Sequence, residues 1–171
     1  MNTKYPHMFS PITIGGVTFK NRIWSAPAGA HLLYGKEGYP NDHVVAYYAN
    51  KAKGGSANIT VSAQNMDIYQ EYDNVHAHEN IFDSENHRFW NHLTDAIHFY
   101  GAKASMEIQA ATKERGYYVS GGLMVPGPGM VPGQPTKELT REMLEEIKKN
   151  LQDQVKILKR IGYDMCMLHM A

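Results

Sequence analysis

Apolar residues recur every three or four positions in three separate stretches of the chain, and each stretch predicts an amphipathic helix. The first runs through Val44, Val45, Tyr48 and Ala52, with Asn41 or Asp42 as its N-cap and Gly54-Gly55 as its stop. The second carries Phe89, Trp90, Leu93, Ile97 and Tyr100, with Asp83 or Ser84 as the cap and Gly101 as the stop. The third sets Leu144, Ile147, Leu151, Val155 and Leu158 on one side and lysines on the other, between a Thr140 cap and Gly162.

Between the helices the period changes. Residues 57–63 put Ile59 and Val61 on one parity and small polar residues on the other, which predicts a strand, and residues 103–109 and 163–170 predict two more. A first strand over 21–30 ends in Pro27, Ala28, Gly29 and Ala30, small residues that let the backbone approach something flat. Ahead of it, two apolar arms flanking Gly15-Gly16 predict a β-hairpin over 11–20. The order β-α-β-α-β-α-β predicts an α/β fold with parallel strands. Order alone leaves a doubly wound sheet and part of a barrel both open, though no Gly-rich phosphate fingerprint follows the first strand.

Composition narrows the function. With 171 residues and 43% apolar content the chain suits one domain over 1–171 and no second domain. Lys plus Arg equals Asp plus Glu at 17 each, so there is no electrostatic footprint for nucleic acid or an anionic membrane. Residues 1–6 lack the apolar run of a signal peptide and no stretch is long enough to span a bilayer, so the expectation is a cytoplasmic protein. The single cysteine, Cys166, excludes an intrachain disulfide and a multi-cysteine metal site. His76 and His78 beside Glu79 have a metal-like spacing but lie in a polar loop, and no metal site is expected. Residues 110–137, rich in Gly and Pro, predict a long loop at the active-site end of a barrel, in which Tyr117 and Tyr118 could serve as a lid or simply pack.

Two residues on the strands carry candidate chemistry. His169 lies at the C-terminal end of the last strand, where barrel side chains point to the catalytic mouth; by position alone a half-buried structural histidine fits as well. Glu107 is a charge in the middle of a strand, read either as a site residue or as a solvent-pointing carboxylate.

The segment Phe9-Ser10-Pro11-Ile12-Thr13-Ile14-Gly15, then Phe19-Lys20-Asn21-Arg22-Ile23 and Ser25-Ala26-Pro27, resembles the opening of the Old Yellow Enzyme family. The resemblance continues through Gly38-Tyr39-Pro40, Tyr47-Tyr48, Lys53-Gly54-Gly55 and Gly162-Tyr163-Asp164, and so covers nearly the whole chain. It implies a flavin-dependent ene-reductase on a parallel (β/α)8 TIM barrel, most similar to the enoate-reductase and dienoyl-CoA-reductase branch. In that branch NADH or NADPH reduces FMN, and hydride then passes to the β-carbon of an activated C=C bond in a small unsaturated carbonyl substrate. The resemblance places Pro27, Ala28, Gly29 and Ala63 beside the flavin, and Glu107 as an acceptor at its pyrimidine edge. It makes His169 the donor to the substrate's carbonyl oxygen, although Met170 replaces the family's small residue and Gly29 its usual Thr or Cys.

A (β/α)8 barrel needs about 250 residues and eight strands. The expectation is therefore an N-terminal half, with an N-terminal hairpin, four barrel strands and exposed apolar strand edges. The phosphate grip on FMN and any 4Fe–4S cluster would belong to a C-terminal part. The alternative function is a catalytically silent half barrel that self-associates into a homo-oligomer or complements a C-terminal half. A metal-dependent barrel hydrolase ranks last, because His169 is the only clear ligand at a strand end.

Overall fold

The computed structural model describes residues 4–29, 39–64, 81–82, 84–108 and 140–168. The elements run β1 (Ile12–Ile14), β2 (Val17–Phe19), β3 (Trp24–Ser25), α1 (Asp42–Lys53), β4 (Asn58–Gln64), α2 (His87–Phe99), β5 (Lys103–Ile108), α3 (Arg141–Arg160) and β6 (Met165–Leu168). β1 and β2 pair antiparallel as the expected hairpin. Gly15 and Gly16 both take positive φ, 56° and 83°, as a two-residue type I′ turn demands.

Strands β3 to β6 form one parallel sheet in sequence order. A doubly wound sheet reverses its strand order at a switch point; within these four strands each new one adds to the same edge. Right-handed crossovers then put successive helices on the same face, and α1 and α2 do pack against each other. The predicted strand over 21–30 is in ladder register only at Trp24 and Ser25. Pro27, without an N–H, cannot extend the ladder.

The two faces of this sheet are unlike. Ile59, Val61, Ala104, Met106 and Ile108 enter the core shared with Val44, Tyr48, Trp90, Leu93 and Ile97 of the helices. Each such large side chain contributes roughly 1.5–3 kcal/mol on burial. Asn58, Thr60, Ser105 and Glu107 alternate with them as buried polar residues.

The helices follow their predicted stripes with instructive departures. In α1 the Asn41 carbonyl oxygen Oδ1 accepts from the His43 and Val44 N–H groups, at 3.0 and 3.1 Å. In α2 the expected cap gives way to a short 3₁₀ turn, Ser84–Asn86, and Asn86 makes no side-chain cap bond; Asp83 lies outside the described residues. Phe89 is only half-buried and stacks on Tyr39, with centroids 3.9 Å apart. In α3, Leu144 and Val155 are exposed at 47% and 43%, whereas Gln154 is fully buried. At 100° per residue Ile147, Gln154 and Leu158 fall on one narrow stripe, and Leu144 and Val155 fall at its margin. The helix buries a narrower stripe than its apolar residues offer. The expected exposed apolar edges are present: Trp24 in β3 and Met167 and Leu168 in β6 are all exposed.

Two junctions hold the N-terminal ends of the strands. Gly162 has φ +93°, and a Cβ there would stand 2.6 Å from Thr94 Oγ1. That hydroxyl donates to the Ile161 carbonyl at 3.0 Å, so α2 lies directly against the turn before β6. Asp164 accepts from the Ala104 N–H at 2.9 Å, from Lys103 Nζ at 2.9 Å, and sits 2.7 Å from His98 Nε2. Burial pushes its carboxyl up, but the Ala104 N–H, His98 and Lys103 outweigh that and hold it below the usual carboxylate range.

Gly162→Ala is expected to cost about 2–4 kcal/mol in urea denaturation, from strained backbone plus the clash. Adding Thr94→Ala should recover the clash part alone, and an unchanged midpoint in the single variant would refute the close approach. The depressed Asp164 pKa contributes stability that is present above the unfolded carboxylate value, near pH 4, and is lost as pH falls through the lower folded value. Asp164→Asn should lose about 1–3 kcal/mol at pH 7 and flatten the acid limb of stability against pH below about 4. An acid limb identical to that of the parent chain would count against the junction.

Candidate cofactor site at the strand ends

In a parallel sheet covered by helices, loops and side chains at the C-terminal strand ends are the ones free to build a site. Five of the six expected site residues fall there, on or beyond three adjacent strands. Pro27, Ala28 and Gly29 continue beyond β3, Ala63 lies near the end of β4, and Glu107 is the second-last residue of β5. Between Val61 and Gln64 the register of β4 against β5 shifts, so that Gln64 stands beside Ile108 and the two residues Ser62 and Ala63 together span the level of Glu107. On the other side Glu107 is in register with Met167 of β6.

Glu107 is 6% exposed, which removes the solvent-pointing alternative. It shares its face with a polar network nearer the N-terminal ends. There Asn58 Nδ2 donates to Thr60 Oγ1 at 3.2 Å and to Ser105 Oγ at 3.1 Å, and the two hydroxyls lie 2.7 Å apart. On β4 and β5 the sheet face away from the helices is thus polar and buried, with Glu107 toward the C-terminal ends of the strands, while the in-register neighbours Trp24 on β3 and Met167 on β6 are apolar and exposed.

Tyr48 joins this region from the helix layer. Its ring is fully buried in α1, and its hydroxyl donates to the Ala28 carbonyl at 3.2 Å. Sequence patterning identifies Tyr48 only as part of the buried stripe of α1. The signal that it does more is that a helix-core position carries a hydroxyl.

His169 lies outside the described residues, as do His76, His78, Glu79, Tyr117 and Tyr118. Of Ala63 only the backbone position is described. Among the described residues no group of three or more His, Cys, Asp or Glu could hold a metal ion. No described helix is long and apolar enough to cross a membrane.

Comparison with known proteins gives this geometry a context. The chain is 30% identical over 173 residues to the NADH oxidase of Thermoanaerobacter brockii, covering 99% of this chain and 26% of that protein. It is 26% identical to the cinnamate reductase of Clostridium sporogenes, again covering 99% of this chain and 26% of that protein. Among solved structures, Old Yellow Enzyme from Pichia sp. AKU4542 superposes with a TM-score of 0.68 at 16% identity, over 95% of this chain and 45% of the other. The chain spans 26% to 48% of the length of the curated relatives it matches. The model of the NADH:flavin oxidoreductase / NADH oxidase family matches residues 7–171, and the chain belongs to that family.

Proposed function

We propose that this chain forms the N-terminal half of a (β/α)8 barrel that works as an FMN-dependent ene-reductase. The observation that carries the reading is the burial of Glu107, an acid placed toward the C-terminal strand ends at the level spanned by Ser62 and Ala63 and beside the path of Pro27–Gly29. These residues fit an isoalloxazine ring. Glu107 accepts from a ring N–H at the pyrimidine edge, while Pro27, Ala28, Gly29 and Ala63 leave room for a flat face. Bound FMN supplies hydride transfer from NADH or NADPH to the β-carbon of an activated alkene. His169, one residue past β6, donates a hydrogen bond to the substrate's carbonyl oxygen and draws electron density from the C=C bond. A small unsaturated carbonyl compound is the proposed substrate class, and the cinnamate reductase relative supports it.

A second reading has its own observation. Trp24, Met167 and Leu168 are exposed at the two outer strands of the sheet, and open apolar edges favour pairing with another chain. The half barrel would then gain its function with a C-terminal half, or as a homo-oligomer. Barrels of this type bind phosphate at loops after the seventh and eighth strands, which supports joint rather than solitary FMN binding.

The test is an FMN titration of the purified chain, followed by desalting, a visible spectrum and addition of NADH. Retained flavin that NADH bleaches supports an enzyme competent by itself. A colourless chain that regains flavin only when mixed with a C-terminal half supports the complementing reading, and a chain that is colourless in both conditions overturns both. Where flavin is retained, Glu107→Leu should weaken FMN binding about 10- to 100-fold, through loss of a hydrogen bond to a charged acceptor. Glu107→Gln, which keeps an acceptor, should lose less.

A further inference from the structure

The Ala28–Gly29 peptide lies past the last residue of β3 in register with β4, which is Ser25. The neighbouring Pro27 has no N–H to tie the segment down. A side chain supplies a hold instead: the Tyr48 hydroxyl donates to the Ala28 carbonyl at 3.2 Å. Its ring is fixed in turn. It is fully buried, meets the Tyr47 ring edge-on at 5.0 Å, and carries Lys51 Nζ at 5.3 Å from its centroid. α1 itself is anchored at its start by the Asn41 cap.

Among the described residues there is no cis peptide bond. In a trans peptide the C=O and N–H point in opposite directions. A carbonyl bonded by the phenol of Tyr48 therefore aims the Gly29 N–H away from that phenol. Core packing accounts for the ring of Tyr48 but not for its hydroxyl, since phenylalanine would fill the same space.

We infer that Tyr48 is a positioning residue, whose phenol holds the Ala28 carbonyl and so presents the Gly29 N–H to the ligand seated at the strand ends. The ligand part rests on the flavin reading above. A side chain locked by its own packing is what keeps a donor in place before the ligand arrives.

The experiment compares the full chain with its Tyr48→Phe variant, by isotope-resolved NMR without ligand and by FMN titration. Without ligand, the variant should move the Ala28 carbonyl carbon and speed exchange of the Gly29 amide, with signals of β5 and α2 unchanged. Unmoved Ala28 and Gly29 signals overturn the inference. With FMN, Tyr48→Phe should weaken binding about 5- to 10-fold, the loss of one neutral hydrogen bond, and displace the flavin absorption band. Equal affinity and an identical flavin spectrum would overturn the presentation role even if the Ala28 signal moves. Where the parent chain binds no FMN alone, the titration is run on parent and variant mixed with a C-terminal half; absence of binding there too overturns the flavin-presentation part, while the Ala28 and Gly29 signals still decide whether Tyr48 positions the peptide.

Discussion

The alignment of β4 against β5 is the constraint on which the rest of the structure depends. Side chains alternate across a strand, so a slip of one residue would exchange the two faces. Ile59 and Val61 would leave the helix core, and Asn58 and Thr60 would enter it. Two sets of contacts prevent this. The amide of Asn58 bridges Thr60 and Ser105 across the strand pair, and the backbone relay from the Ile23 carbonyl through Ala57 to the Lys103 N–H, at 2.7 and 2.8 Å, sets the starting level of all three strands. A buried polar network whose members bond one another is a register device, since any slip leaves several groups desolvated and unbonded.

From that registered start the strands diverge in what they demand. Their N-terminal ends are held by polar ties between successive units: Asn21 donates to the Gly55 carbonyl and accepts from the Ile23 N–H, Lys20 donates to the carbonyl of Tyr100, the C-cap of α2, and Asp164 gathers Ala104, Lys103 and His98. The cation at the C-cap of α2 also complements the helix dipole. These ties hold the strand starts, and Pro27, Ala28 and Gly29 continue beyond the other end of β3.

Much of this was legible in the sequence because it is local. The Asn41 cap, the Gly15-Gly16 turn, and the parities of Ile59 and Val61 each depend on a few neighbouring residues, and each appears as expected. What depends on partners far along the chain was not legible. The α2 cap reads well as Asp83 or Ser84, yet the chain enters that helix through a 3₁₀ turn. Leu144 and Val155 belong to an apolar stripe by spacing, but the strands beneath α3 cover only the narrower line through Ile147, Gln154 and Leu158. Strand order was open because a βαβ pattern is common to doubly wound sheets and barrels; the order depends on pairing between strands distant in the chain, such as Trp24 with Asn58 and Ser105 with Met165.

The candidate site shows the same division. Glu107 could be suspected from sequence because an acid interrupts an apolar strand, but whether it was buried depended on which face its parity assigned to it. That face is decided by the Thr60 and Ser105 pairing, two residues earlier on the same strand. Tyr48 shows the reverse: its parity is obvious and its hydroxyl's destination is not, because Ala28 is 20 residues away across a helix–strand contact. The polar atoms that matter most to the proposed site are thus placed by apolar packing. Val44, Tyr48 and Ala52 hold α1 on β4 so that one phenol reaches a carbonyl at the edge of the sheet. A change that loosens that packing would disturb the Ala28–Gly29 peptide without touching any group that meets a ligand, so the helix core and the strand-end backbone form one mechanical unit.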